Sequence, residues 1–232
     1  MTENNHQTLA GIKLLHGIGP EEISAIESRC GWRTYAPQEQ IIDRQSDSKD
    51  VYFVTHGLVR VVNYSVSGRE IAFDDIEAGN VFGELAALDG EPRSANVVAI
   101  QSTTVATLSP TAFQEVLSEN PGVSLALMKW LAGVIRNSTE RIMDLSSLGA
   151  HNRVYAEILR LAKANANEDN TALITPVPIH SDVASRVSTT RETVARVFSE
   201  LSKKGLLKKE GNSIHILDLD RLMEMVEEFR GD

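Results

Sequence analysis

One glycine, one carboxylate, one arginine and one hydroxyl stand close together in the run VFGELAALDGEPRSANVVA, residues 81–99. Their types and order read as a small anion pocket. Arg93 offers a planar fork of N–H donors that suits phosphate oxygens. Ser94 adds a hydroxyl donor, and Gly83 lets the backbone approach closely ahead of a short helical turn whose free N–H groups attract anions. Glu84 has no use for a phosphate, because like charges repel. As an acceptor it suits a ribose 2′-hydroxyl, the neighbour of a 3′,5′-cyclic phosphate. An ordinary ion pair between Glu84 and Arg93 is the competing reading of the same residues.

A second constellation lies in IHSDVASRVSTTRETVARVFSELSKKGLLKKEGNSIHIL, residues 179–217. Val183, Ala184 and Val187 predict one short helix, Ser188 to Thr190 a turn, and Val194, Val197, Phe198 and Leu201 the buried face of a second helix capped by Thr190. Arg191, Glu192 and Arg196 then fall opposite the apolar face, near the N-terminal end from which a major-groove helix contacts bases. Arginine can bond guanine O6 and N7, and glutamate can accept from cytosine N4. Lys203, Lys204, Lys208 and Lys209 surround the turn into a predicted hairpin, a wing suited to phosphates. The bland alternative is a solvated charged helix.

These groups need a scaffold, and the rest of the chain predicts one. At 232 residues with 42% hydrophobic composition there is room for a larger and a smaller domain. From Trp32 to Leu108 short alternating or apolar runs are punctuated by Gly57, Gly68, Gly79 and Gly90, eleven residues apart, which predicts a compact β-roll with short amphipathic helices over 8–30 beside it. After Asn120-Pro121 comes the longest helical pattern. Leu127, Leu131, Val134, Ser138, Arg141, Leu145 and Leu148 alternate spacings of four and three, the seam of a helix lying along a twin. Ser138 and Thr139 are hydroxyls in or beside that seam, and Gly149 is a breaker and hinge. An amphipathic helix over 218–230, including Phe229, follows the wing.

The net charge of −9 is unevenly spread. Residues 1–150 carry 11 Lys and Arg against 19 Asp and Glu, whereas residues 183–212 carry seven basic groups against three acidic ones, a local basic patch compatible with DNA. A single cysteine, Cys30, excludes an internal disulfide and cannot alone hold an iron–sulfur cluster. The histidines are scattered without ligand spacing, so no metal site is expected. No apolar run approaches membrane-spanning length and the first residues lack a signal-peptide pattern, so a cytoplasmic protein with no membrane partner is expected.

The run FGEL-x6-PRSA closely resembles the phosphate-binding cassette of cyclic-nucleotide-binding domains, found in bacterial cAMP receptor proteins, cyclic-nucleotide-dependent kinases and gated channels. The match extends over roughly residues 20 to 115. It implies that Glu84 binds the ribose 2′-hydroxyl and that Arg93 and Ser94 bind the cyclic phosphate, with Gly83 and Leu85 in the same ligand-binding cassette. Aligned on Asn120-Pro121, Ser138 and Thr139 fall where the bacterial cAMP receptor has its base-contacting hydroxyls, one from each subunit. A hydroxyl can donate or accept, so the pair suits adenine and guanine almost equally. The segment TTRETVARVFSELSKKGLL resembles the recognition helix of the same class of winged helix-turn-helix regulators, whose SRETVGR-type residues read a GTGA half-site. It implies DNA contacts from Thr190, Arg191, Glu192, Arg196, Lys203 and Lys208. His180 stands where the receptor has an arginine near the backbone, and Gly149 where it has an acidic hinge residue.

The expectation is therefore an α+β protein in three parts: a cyclic-nucleotide-binding β-roll domain over 1–119, a central dimerisation helix and hinge over 120–149, and a winged helix-turn-helix over 150–232. Its function would be that of a homodimeric transcription regulator with cAMP, or else cGMP, as effector, no other cofactor, and palindromic DNA and RNA polymerase as partners. A family member that works without a nucleotide or with another effector is the alternative. An enzyme using Glu84 as a base finds no metal cluster, nucleophile–base pair or P-loop to support it, and a pure binding module is opposed by the helix-turn-helix.

Overall fold

The computed structural model describes residues 6–228, which fall into two compact units dividing between Val134 and Ile135. In the first unit, α1 (Pro20–Glu27) precedes eight strands: β1 (Gly31–Tyr35), β2 (Gln40–Ile42), β3 (Val51–His56), β4 (Leu58–Tyr64), β5 (Glu70–Glu77), β6 (Val81–Phe82), β7 (Asn96–Ala99) and β8 (Thr103–Leu108). The six-residue α2 (Glu84–Asp89) lies between β6 and β7, and α3 (Pro110–Glu119) follows β8. The strands form two four-stranded antiparallel sheets, ordered β1-β8-β3-β6 and β2-β7-β4-β5. Tyr52, Val54, Phe82 and Val105 of the first sheet meet Ile42, Val59 and Val97 of the second in one core, so the sheets close face to face as a roll.

β3 shows how alternation builds two cores from one strand. Tyr52 and Val54 point into the roll, while Val51 and Phe53 point the other way, onto Ile23 and Ile26 of α1, Phe113 and Val116 of α3, and Val123 and Leu127. That is why its first four residues are all buried rather than alternating with exposed ones. The four regularly spaced glycines all take positive φ. At Gly57, with φ +95°, an added Cβ would come within 2.5 Å of the Ser102 carbonyl oxygen and Thr103 Oγ1, so the β3–β4 turn tolerates only glycine.

A single helix, α4, runs from Pro121 to Ser147. The structure takes the ends of its predicted seam into the two cores. Leu127 is buried in the first unit's core with Leu131 packed beside it, Leu148 is buried in the second unit's core, and Arg141 donates through Nη2 to the carbonyl of Arg186. The large apolar residues left exposed on α4 are Leu125, Met128, Val134, Ile135, Ile142, Met143 and Leu145; Val134 and Leu145 belong to the predicted seam, and Met128, Ile135 and Ile142 repeat every seven residues. A second exposed stripe, Met128, Ile135 and Ile142, thus lies about one position from the predicted one, whose Val134, Ser138 and Leu145 are exposed as well. Thr139 lies in the second stripe and Ser138 beside it.

In the second unit, α5 (Ala150–Lys163) is followed by β9 (Ala172–Ile174), α6 (His180–Arg186), α7 (Arg191–Lys203), the hairpin β10 (Leu207–Glu210) and β11 (Ser213–Ile216), and α8 (Leu219–Glu228). The hairpin pairs with β9 in a three-stranded sheet ordered β10-β11-β9. Val154, Ile158, Val183, Val194, Val197, Leu201, Ile214 and Leu222 share one core. This explains α8, whose Leu222, Met225 and Val226 pack into that core beside α5; Phe229 lies outside the described residues. Gly149 has φ −63° and ψ 158° as N-cap of α5, a conformation open to any residue, so it ends α4 without the left-handed C-cap expected of a breaker glycine.

Candidate functional site

In the first unit, β6 delivers the chain to Gly83, which turns it left-handed at φ +80° and starts α2 with Glu84. Glycine is required here twice over. An added Cβ would sit 2.9 Å from both Arg93 Nη1 and the Asp50 carbonyl, so the missing side chain is what lets Arg93 lie against the turn. Arg93 is only 4% exposed. Its Nη1 donates to the Gly83 carbonyl at 2.9 Å, and its Nη2 to Ser48 Oγ at 3.0 Å and the Asp50 carbonyl at 2.8 Å. The guanidinium carbon lies 5.8 Å from the centre of the Tyr52 ring, itself stacked on Phe82.

This anchoring uses neutral acceptors. Glu84 and Arg93 do not form an ion pair, and no carboxylate among the described residues comes within ion-pairing distance of Arg93; its buried Nε has no hydrogen-bond partner there either. A buried cation held by carbonyls with a donor to spare suits an incoming anion. Burial pulls the Arg93 guanidinium below its usual value, opposed by Tyr52, Asp50 and Glu84. Glu84 is also buried, and desolvation pushes its carboxyl above the ordinary range, against the opposing effects of its own backbone N–H and of Arg93.

A carboxyl whose pKa is raised by folding costs stability when ionised. Glu84→Gln is therefore expected to raise the melting temperature at pH 7. The gain grows as pH rises from the ordinary carboxylate value through the raised folded value, and vanishes below that window, where Glu84 is protonated in both states. Thermal melts of both proteins across this pH range check it; an equal or lower melting temperature for the variant at pH 7 refutes it.

The remaining cassette residues are on the surface. Ser94 is exposed in the bend before β7, its carbonyl accepting from Asn63 Nδ2 at 3.3 Å, and Leu85 is 44% exposed on α2. Ser138 and Thr139 belong to the second unit, both exposed on α4; Thr139 Oγ1 bonds back to the Ile135 carbonyl at 3.0 Å. The sequence reading missed Ser48, Asp50 and Tyr52. They precede Arg93 by 41 to 45 residues, and nothing in their spacing marks them as its supports.

In the second unit, Thr190 caps α7, its hydroxyl accepting from the Thr193 N–H at 3.3 Å. Thr193, Val194, Val197, Phe198 and Leu201 are buried, leaving Arg191, Glu192 and Arg196 exposed together on the opposite face. Arg196 Nη2 donates to Thr193 Oγ1 at 3.1 Å, which steadies its guanidinium. The Glu192 carboxyl is held below its ordinary range by its own backbone N–H, the Thr190 hydroxyl and the two arginines, so it remains an acceptor. Lys203 is exposed at the end of α7, and Lys208 is exposed on β10 in a 2.5 Å pair with Glu210. Such a pair is weak and exchangeable. His180 opens α6 with its ring 4.7 Å from that of Phe198; burial, then Arg191 and Lys209, lower its pKa, so it is neutral at pH 7.

Comparison with known proteins identifies a domain in each unit. Residues 32–120 match the cyclic nucleotide-binding domain and residues 152–225 the Crp-like helix-turn-helix domain. The chain is 28% identical over 222 residues to the cyclic AMP receptor protein of Thermus thermophilus, covering 94% of this chain and 98% of that one. It is 24% identical over 217 residues to the CRP-like cAMP-activated global transcriptional regulator of Mycobacterium tuberculosis, covering 93% and 97%. A solved structure of a CooA variant from Carboxydothermus hydrogenoformans shares the fold with a TM-score of 0.81 at 22% identity, covering 95% and 99%. The two domains together define a cyclic-nucleotide-binding transcription regulator, and its homologues are regulators rather than enzymes. The chain belongs to the CRP/FNR superfamily. Among the described residues no helix is long and apolar enough to cross a membrane.

Proposed function

We propose that this protein is a homodimer whose affinity for palindromic DNA is raised by cAMP. The observation that carries the reading is the buried Arg93, held by neutral acceptors with Nε to spare, beside a buried Glu84 that it does not pair with. An anion and a ribose hydroxyl on one small molecule satisfy both groups. Ser94 completes the phosphate contacts, Gly83 and Leu85 frame them, and Ser138 and Thr139 meet the base from the two α4 helices of the dimer. Their hydroxyls admit cGMP as a second effector. The names of the relatives in Thermus thermophilus and Mycobacterium tuberculosis support cAMP as the first candidate.

Ligand touching both α4 helices favours the arrangement in which two α7 helices stand one DNA turn apart, about 34–36 Å. Arg191, Glu192 and Arg196 then read GTGA-type half-sites, with His180, Thr190, Lys203 and Lys208 on the backbone and RNA polymerase as the next partner. By linkage, DNA must tighten cAMP binding by the factor by which cAMP tightens DNA binding. Calorimetry with cAMP and with cGMP, with and without DNA, tests the reading. Absence of binding heat for both nucleotides would mean another effector or none.

The exposed stripe Leu125, Met128, Ile135 and Ile142 supports α4 as the dimer contact. Ile135→Glu combined with Ile142→Glu places like charges across a two-fold seam, a juxtaposition costing several kcal/mol. The double variant is expected to sediment as a folded monomer; one that remains dimeric would put the interface elsewhere.

A further inference from the structure

The turn before α7 bonds through its Val187 and Thr189 amides to α6, but its carbonyls are taken by side chains from outside the helix-turn-helix. Its carbonyls at Arg186, Val187 and Ser188 all accept from arginines outside the helix-turn-helix. Arg141 of α4 donates to the Arg186 carbonyl at 2.9 Å. Arg153, on the first turn of α5, does more: Nε donates to the Val187 carbonyl at 2.8 Å, Nη2 to the Ser188 carbonyl at 3.0 Å, and Nη1 to the Leu148 carbonyl at 3.0 Å. One planar guanidinium thus spends all three nitrogens on main-chain oxygens, one just past the end of α4 and two in the turn. Ser188 sits at φ +50°, a left-handed conformation that a serine holds only where its surroundings impose it.

A second set of contacts fixes α5 to the far end of α7. His151 Nε2 lies 2.8 Å from Glu200 Oε2, and hydrogen bonds from Lys204, His151 and Tyr155 hold the Glu200 carboxyl down to about 2. So α5 is tied to α7 at Glu200 and to the turn before it through Arg153, which also reaches the end of α4.

We propose that Arg153 is a positioning residue for DNA recognition, which brackets the turn before α7 to the end of α4 and so links the set of α4 to the presentation of Arg191, Glu192 and Arg196. This rests on the function proposed above, in which ligand acts on α4. Lysine cannot replace the fork, because a single ammonium cannot span three carbonyls in one plane.

The test uses the full-length protein with Arg153→Met and Arg153→Lys. The first readout is the affinity for a duplex with two GTGA-type half-sites, with and without saturating cAMP. The ratio of the two affinities is expected to fall about fivefold or more in Arg153→Met and by less in Arg153→Lys, with base preference unchanged. The second readout is hydrogen exchange at the Leu148, Val187 and Thr189 amides, each hydrogen-bonded in the structure, which are expected to lose protection together. A cooperatively melting Arg153→Met with the parental ratio, or loss of protection confined to Leu148 or to the turn, overturns the proposal; if Arg153→Met does not fold, Arg153→Lys carries both readouts. A parent that ignores cAMP would instead defeat the proposed effector, and the exchange readout would still decide the bracket.

Discussion

Replacing Arg93 with alanine is expected to abolish cyclic-nucleotide binding while leaving the roll folded. A cyclic phosphate brought to this site leaves water and is left without its cation in the variant. Truncating one partner of a buried charge pair costs about 2–5 kcal/mol, or roughly thirtyfold to a few thousandfold in affinity. The apolar core between the sheets does not include Arg93, and the Gly83 and Asp50 carbonyls and the Ser48 hydroxyl that lose their donor lie at the site's edge, where water can replace it. Arg93→Lys should fall between, because lysine keeps the charge but not the fork. Titration calorimetry alongside thermal melts separates binding from folding. Parental cAMP affinity in a folded Arg93→Ala protein would remove the assigned pocket, and with it the role of Glu84.

The second large effect lies at the other end of the chain. Arg196→Ala is expected to cost about 1–3 kcal/mol in DNA binding and to relax the preference at one base position in each half-site. Arg196 is exposed beside Arg191 and Glu192, and its bond to Thr193 Oγ1 leaves four further N–H donors for a guanine edge. Lys208→Ala should behave differently. A phosphate contact releases counterions without reading sequence, so its loss weakens binding to all sequences alike and lowers the salt slope by about one. Site selection with cAMP present, repeated for both variants at two salt concentrations, distinguishes the two patterns. Reduced affinity in Arg196→Ala with unaltered base preference would place the wrong face of α7 in the groove.

Local chemistry made much of this legible in the sequence. The cassette from Gly83 to Ser94 is one turn and one short helix, so its meaning is carried by residues adjacent in the chain. The cap at Thr190, the apolar face of α7 and the lysine-flanked hairpin are local for the same reason, as are the glycine-marked turns of the roll. Tertiary structure decided whatever depended on which surfaces meet. That Arg93 rests on Gly83, Asp50 and Ser48 rather than on Glu84 follows from the close packing of a turn against a distant loop. Arg153 does not stand out by type or spacing, and Arg141 does so only as a position of the predicted seam, because backbone carbonyls, their acceptors here, leave no mark in a sequence. The seam of α4 shows the limit most clearly. With 3.6 residues per turn, a helix this rich in apolar residues offers several stripes at alternating spacings of three and four. Only the tertiary structure shows that Leu127 and Leu148 are taken into the cores at either end, while Val134 and Leu145 between them stay outside together with Met128, Ile135 and Ile142.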